Sequence, residues 1–111
     1  MSRGTTILLL FLAALFEAGG DAIVRVGLKT PAVWPRVALF LLGSVILFSY
    51  AWTVNAAPWA FGRLIGLYVV FFFVVAQVIS WLGFGQAPSV PLMIGGLLIV
   101  SGGLVIALAK A

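Results

Sequence analysis

The sequence predicts an all-α integral membrane protein with four transmembrane helices. Of its 111 residues, 65% are hydrophobic and only 7% are charged, and the mean hydropathy is +1.34. A soluble domain has about 25% charged residues, and a disordered chain has far less apolar sequence. A membrane helix needs about 20 mostly apolar residues, and four such stretches account for most of this chain.

The four stretches predict helices over residues of about 5–26, 37–54, 64–82 and 91–109, in a single domain spanning 1–111. The first contains charged residues, the second contains none, the third is rich in β-branched and aromatic residues, and the fourth is rich in glycine. All four are continuously apolar, whereas the strands of a membrane barrel alternate. A signal peptide is the alternative for the first stretch, but its apolar run continues past both acids, which favours an uncleaved helix.

The predicted connections between helices contain proline or glycine, as membrane-surface turns do. The first connection contains Lys29–Pro31 and Trp34–Arg36, the second is Asn55–Pro58, and the third is Gly83–Pro88. All four tryptophans lie near predicted helix ends, where an interfacial aromatic belt is expected. They are Trp34, Trp52, Trp59 and Trp81.

The composition also excludes several classes of function. Without cysteine or histidine, the chain has no thiol chemistry, no disulfide, no cysteine-based zinc site and no histidine-based catalysis. Its six cations are dispersed and form no basic patch for nucleic acid. We therefore expect a protein that is not an enzyme, needs no cofactor or metal, and contacts membrane lipids.

The charges give almost no orientation bias. Four spans place the N-terminus, the middle loop and the C-terminus on one side of the membrane. That side holds Arg3, Arg63 and Lys110, and the other holds Arg25, Lys29 and Arg36. Because the positive-inside rule acts through such a bias, either another signal decides the orientation or the chain inserts both ways round.

The first helix carries three charges at intervals of four residues: Glu17, Asp21 and Arg25. They share one helix face, with about 6 Å between successive positions along the axis. A carboxylate persists in a membrane only if it is protonated, paired or facing water. We expect Arg25 to form a salt bridge with Asp21, which leaves Glu17 to exchange protons within a coupled pair of acids. The alternative is a ladder of charges that only braces the bundle.

The fourth helix repeats a glycine pair at a spacing of seven residues. Gly95 and Gly96 therefore share a face with Gly102 and Gly103, and such a face lets another helix approach closely. We predict that it forms a dimer interface, with packing inside the chain as the alternative. Near Glu17, small residues leave room for either a ligand or a neighbouring backbone: Ala13, Ala14, Gly19 and Gly20.

Two polar residues of the third helix are further candidates for substrate or proton binding. Tyr68 can stack on an organic cation, or it can be a packing aromatic. Gln77 can contact substrate, or it can form a hydrogen bond inside the bundle. Ser44, Ser49 and Tyr50 in the second helix are weaker candidates.

Three segments together resemble the small multidrug resistance family of the drug/metabolite transporter superfamily. They are Ala14–Gly20 with its acid followed by glycine, continuing to Arg25 and Trp34-Pro35; Ile79–Gln86; and the glycine-rich Gly95–Gly103. A fourth segment, Pro58–Arg63, is similar to the opening of helix three in the YnfA family of small membrane proteins. The third helix departs from the small multidrug resistance family. That family usually has a tyrosine and a tryptophan near a glycine-x-glycine kink in this helix, and only Gly66 and Tyr68 match that pattern here.

The resemblance implies a small multidrug resistance-like bundle in the bacterial inner membrane. It implies proton-coupled antiport of small organic cations by an antiparallel homodimer, in which Glu17 of each subunit binds substrate and protons alternately. A heterodimer with a related chain stays open. The alternatives are another carrier of the superfamily, for a metabolite or lipid-linked substrate, and a membrane subunit that transports nothing.

Overall fold

A computed structural model describes residues 2–109 and contains four α-helices in that range. They are α1 (Arg3–Leu28), α2 (Val33–Asn55), α3 (Phe61–Phe84) and α4 (Val90–Leu108). Each helix is long and apolar enough to cross a membrane, and no strand occurs in the described range. The predicted all-α, four-span architecture is confirmed.

Local capping residues explain where several helices begin and end. The side chains of Ser2 and Ser89 each accept a hydrogen bond from a backbone N–H in the first turn of α1 and of α4, as N-cap residues do. Gly85 follows α3 with a φ of 66°. This left-handed turn lets the Gln86 N–H donate to the Ser80 carbonyl at 3.0 Å, which ends the helix.

Three of the four helices, α1, α2 and α3, are longer than the predicted spans, whereas α4 has the predicted length and begins one residue earlier. Trp34–Arg36 was expected in a connection, but α2 begins at Val33 and includes it. Proline is tolerated there because a residue in the first turn needs no intrahelical N–H bond. Gly83 and Phe84, also predicted as loop, form the last turn of α3. The connections are therefore short: 29–32, 56–60 and 85–89.

The helices form a bent row rather than a symmetric bundle. In the described range, α1 packs on α2 and α3, α4 packs on α3 alone, and α2 touches α3 lightly. The row measures 51 × 34 × 20 Å. Because the connections are short, the C-terminal ends of α1 and α3 lie on the same side as the N-terminal ends of α2 and α4.

The core is small and centres on α1. Leu10, Ala13, Ala14 and Ala18 are buried along one face of α1, and the buried residues of α3 include Leu64, Tyr68 and Val75. Alanine lets membrane helices approach closely. Many large apolar side chains elsewhere are exposed, which leaves them to lipid or to another chain.

The small residues near Glu17 serve helix packing. A Cβ added at Gly20 would lie 3.3 Å from the Gly43 carbonyl oxygen of α2, and a Cβ at Gly43 would lie 3.3 Å from the Gly20 carbonyl oxygen. Ala13 and Ala14 have no exposed surface. Of the four small residues, only Gly19 has open space around its Cβ position. Of these four positions, only Gly19 therefore leaves space for a ligand.

The glycine pairs of α4 divide between two faces. A Cβ at Gly96 would lie 2.7 Å from the Phe73 ring, and one at Gly103 would overlap Val70, both on α3. Gly95 and Gly102 have nothing near their Cβ positions. Gly96 and Gly103 thus receive side chains of their own chain, which corrects their assignment to a dimer interface. Only Gly95 and Gly102 are free to meet another chain.

Candidate functional site

The bundle brings two of the predicted site residues into direct contact. The Tyr68 hydroxyl of α3 donates a hydrogen bond to Glu17 Oε1 of α1, at 2.9 Å. Tyr68 is only 3% exposed, so its hydroxyl needs a partner within the protein. Glu17 meets that need and is itself partly exposed, so its carboxyl group remains able to meet a ligand.

A second tyrosine completes this part of the site. The Tyr50 ring of α2 stacks on Tyr68, with centroids 5.5 Å apart and planes at 27°. Phe72, one turn along α3, has its centroid 6.5 Å from that of Tyr68. Three helices therefore meet beside Glu17. The sequence placed Tyr50 among the weaker candidates, because no spacing relates it to a tyrosine in another helix.

An open cleft between α1 and α3 extends from this point toward the first and third loops. We call it the α1–α3 cleft, and its volume is about 230 Å³. Its lining consists of Ala18, Asp21, Ala22 and Arg25 from α1, with Phe72, Ala76, Ile79, Ser80, Phe84 and Gln86. Glu17 and Tyr68 do not line the cleft but lie beside its inner end. Ala18, which lines the cleft, follows Glu17 directly, and Phe72, which also lines it, is one helical turn from Tyr68.

The predicted Asp21–Arg25 salt bridge is not formed. Within residues 2–109, no ion pair and no side-chain hydrogen bond involves either side chain. The Arg25 guanidinium instead lies over the Phe84 ring, with Cζ 5.5 Å from its centroid. The prediction was wrong because spacing along one helix says nothing of an aromatic ring on another. Both charges consequently line the cleft as separate groups.

Polar groups also line the outer end of the cleft. The Ser80 hydroxyl lies 3.3 Å from Gln86 Oε1, to which it donates a hydrogen bond. The turn at Gly85 carries Gln86 back toward α3. The outer end is thus hydrophilic, whereas the inner end is aromatic.

Gln77 lies apart from Glu17. It lines a second groove, between α3 and α4, together with Phe73, Trp81 and Leu97 among others, and this groove has a volume of about 460 Å³. Almost all of its lining is apolar. Within one copy of the chain, Gln77 therefore does not join Glu17 and Tyr68, because Gln77 and Tyr68 lie on different faces of α3.

The remaining cations lie toward the helix ends. The guanidinium of Arg63, at the start of α3, lies over Trp59, with Cζ 4.7 Å from the ring centroid. Arg36 lies in the same way over Phe40 at 5.5 Å. Lys110, which enters the predicted orientation count, lies outside the described residues. Within residues 2–109, no group of three or more potential metal ligands is found.

The fold and the cleft define a small multi-pass membrane protein with two acids on its first helix, Glu17 half-buried and Asp21 exposed along the cleft. Comparison with protein-family models, with curated proteins and with solved structures finds no match. The resemblance to the small multidrug resistance family therefore stays a prediction.

Proposed function

We propose that this protein is a proton-coupled exporter of small organic cations, acting as a dimer in the bacterial inner membrane. One observation carries the proposal: a carboxyl group in the apolar part of α1 is held by a tyrosine hydroxyl from α3. An acid at this depth is costly unless it has a role. Its partner is neutral, so its charge remains available to a substrate.

Transport of the cation is coupled to transport of the proton if the two compete for the same carboxylate. Glu17 binds either a proton or a cation, and the loss of one permits the binding of the other. Tyr68 orients the carboxylate through its hydrogen bond. The half-buried rings of Tyr50 and Phe72, which flank the buried Tyr68, attract a cation through their quadrupoles, so that both charge and shape favour an organic cation.

A dimer is part of the proposal because one row of four helices does not enclose a transport path. The cleft is open along one side, and a second copy would supply the missing wall. Gly95 and Gly102 offer an unfilled face of α4 for close approach. The three-against-three charge count favours an antiparallel pair, and a related chain as partner is the alternative.

Two other functions remain as rivals. A carrier for a metabolite or lipid-linked substrate would use the same cleft with a different ligand. A subunit that transports nothing would need the charges of α1 only as a brace. The brace has less support, since Asp21 and Arg25 are unpaired within residues 2–109.

Proton release from purified protein tests the proposal. The protein in detergent is placed in weakly buffered solution with a pH indicator, and small quaternary ammonium ions are added. We expect the wild type to release protons and Glu17→Gln to release none, because the glutamine side chain does not ionise. Raising the pH should tighten cation binding until Glu17 is fully ionised.

Asp21→Asn is the matched variant, since Asp21 is the other acid of the helix. We expect it to retain substrate-driven proton release. If release persists in Glu17→Gln and disappears in Asp21→Asn, the exchanging acid is Asp21 and the role given to Glu17 is wrong. If no cation in a broad panel releases protons from the wild type, antiport is ruled out.

A further inference from the structure

Two opposite charges line the α1–α3 cleft without pairing. Asp21 and Arg25 are one turn apart, a rise of about 6 Å. An acid four residues before a base is the order that favours pairing on a helix. Arg25 nevertheless lies against Phe84 of α3, and both side chains contribute to the lining of the cleft. The cleft therefore presents a negative and a positive group side by side.

Such a pair complements a ligand that carries both charges. A guanidinium lying on an aromatic face keeps its N–H edge available, and that edge matches a carboxylate with two parallel hydrogen bonds. Asp21 attracts an ammonium group, and the nearby Phe72 ring adds a cation–π surface. A simple cation would leave Arg25 uncompensated and would feel its repulsion.

The size and the polarity of the cleft limit the ligand further. Its volume in one copy, about 230 Å³, is below the range of about 300–1,000 Å³ found for sites that hold drug-sized molecules, so the part of a ligand held between α1 and α3 is short. Ser80 and Gln86 place hydroxyl and amide groups at the outer end, near Arg25. A short ligand fits, with its ammonium group inward and its carboxylate outward.

We infer that the preferred substrate is a short zwitterion, an ammonium and a carboxylate joined by a few methylene groups. Its ammonium group binds between Asp21 and Glu17, and its carboxylate binds Arg25. The inference rests on the proposed function for transport and proton exchange. The binding of the carboxylate depends on Arg25 and does not require Glu17 to release a proton.

Three probes of matched length test this inference. They are trimethylammonium butanoate, butyltrimethylammonium, and the carboxylate in which carbon replaces the nitrogen of the first probe. Affinity is measured by calorimetry on the protein in detergent, and proton release is recorded in parallel. We expect the zwitterion to bind about tenfold or more tightly than either single-charge analogue.

Substitutions of Arg25 test whether its guanidinium binds the carboxylate of the zwitterion. Arg25→Gln should weaken binding of the zwitterion about tenfold or more and leave butyltrimethylammonium unchanged or bound more tightly. Arg25→Lys should recover part of the loss. Arg36→Gln is the control, because Arg36 lies over Phe40 at the same 5.5 Å and does not line the cleft. It should change neither affinity.

The outcomes separate this inference from the proposed function. The zwitterion site is wrong if butyltrimethylammonium binds as tightly as the zwitterion, or if Arg25→Gln changes the affinities of the two probes equally. Either result leaves the proposed function intact where cations still release protons through Glu17. If the zwitterion binds through Arg25 and no probe releases protons, the site stands and proton coupling fails. An Arg25→Gln variant with unchanged affinity for all three probes assigns Arg25 to the membrane surface and overturns the inference.

Discussion

At the scale of single residues, the contact between Tyr68 and Glu17 determines what the site can do. Each group stabilises the other. A buried hydroxyl without a partner costs about 1–3 kcal/mol, and an unsupported acid at the centre of a membrane costs about 2.5–3.5 kcal/mol on insertion scales. Their bond at 2.9 Å satisfies the hydroxyl and leaves the second carboxyl oxygen of Glu17 for a ligand.

Replacing Tyr68 with phenylalanine tests that contact. Without the donor, the protonated carboxyl competes better with a cation. We expect Tyr68→Phe to weaken cation binding about tenfold at neutral pH, in line with a hydrogen bond to a charged group. The loss should shrink at alkaline pH, where protons no longer compete. Calorimetric titration at two pH values measures both effects.

Tyr50→Phe is the control for this variant. It keeps the ring that stacks on Tyr68 and removes a hydroxyl that forms no hydrogen bond to another side chain within residues 2–109. We expect nearly wild-type affinity. Equal losses in the two variants would assign the effect to the aromatic stack and would contradict the role of the Tyr68 hydroxyl.

At the scale of helices, α3 organises the protein by using two faces. One face carries Tyr68 and Phe72 toward α1. The other carries Val70 and Phe73 into the hollows that glycines leave on α4. The position of α3 therefore links the cleft to the edge of the row, and a change at the α4 contact can reach Glu17 only through α3.

Leucine at Gly103 tests the packing of α4. The added side chain would meet Val70, and overpacking of this kind costs about 1–3 kcal/mol. We expect Gly103→Leu to lower the SDS concentration at which the protein unfolds, monitored by tryptophan fluorescence. Gly102→Leu is the matched variant, since its Cβ position is open. At a protein concentration low enough for a dimer to dissociate, it should unfold at the wild-type SDS concentration.

The same control variant reports on association. If Gly102 faces a second chain, Gly102→Leu should reduce crosslinking between copies while leaving the fold of each copy intact. Unchanged crosslinking would remove the Gly95 and Gly102 face from the dimer interface. Equal destabilisation by Gly102→Leu and Gly103→Leu would contradict the division of the glycines between two faces.

At the scale of the whole molecule, the helices of one copy form an open row that does not by itself enclose the proposed transport path. Helix α4 packs on α3 alone within the described range, and many apolar side chains point outward. Lipid can cover such side chains, but lipid cannot form the polar wall that a substrate path needs. The proposed second copy meets this requirement.

Orientation in the membrane can be tested with single charges. We expect the protein, carrying single cysteines introduced into its loops and labelled from each side, to be found in both orientations because its cations are balanced. Ala87→Lys adds a cation to the third loop and should enrich the orientation with that loop in the cytoplasm. Ala56→Lys in the second loop is the matched variant and should enrich the opposite orientation. A single orientation of the wild type would exclude the antiparallel homodimer.

The sequence by itself determined the fold class and the residues that deserve testing. Helix number and approximate position follow from the length of apolar runs, because a bilayer of fixed thickness demands about 20 such residues per span. Glu17 and Asp21 were found for the same reason, since charged groups are rare where water is absent.

Only the tertiary structure decided which of these residues meet. The rotation of each helix about its own axis depends on side chains that interlock with other helices, and spacing within one helix does not contain that information. Through such packing Tyr68 reaches Glu17 and Tyr50 stacks on Tyr68, whereas Gln77 faces away. Arg25 meets Phe84 rather than Asp21 because the aromatic ring comes from α3, which leaves two opposite charges free inside one cleft.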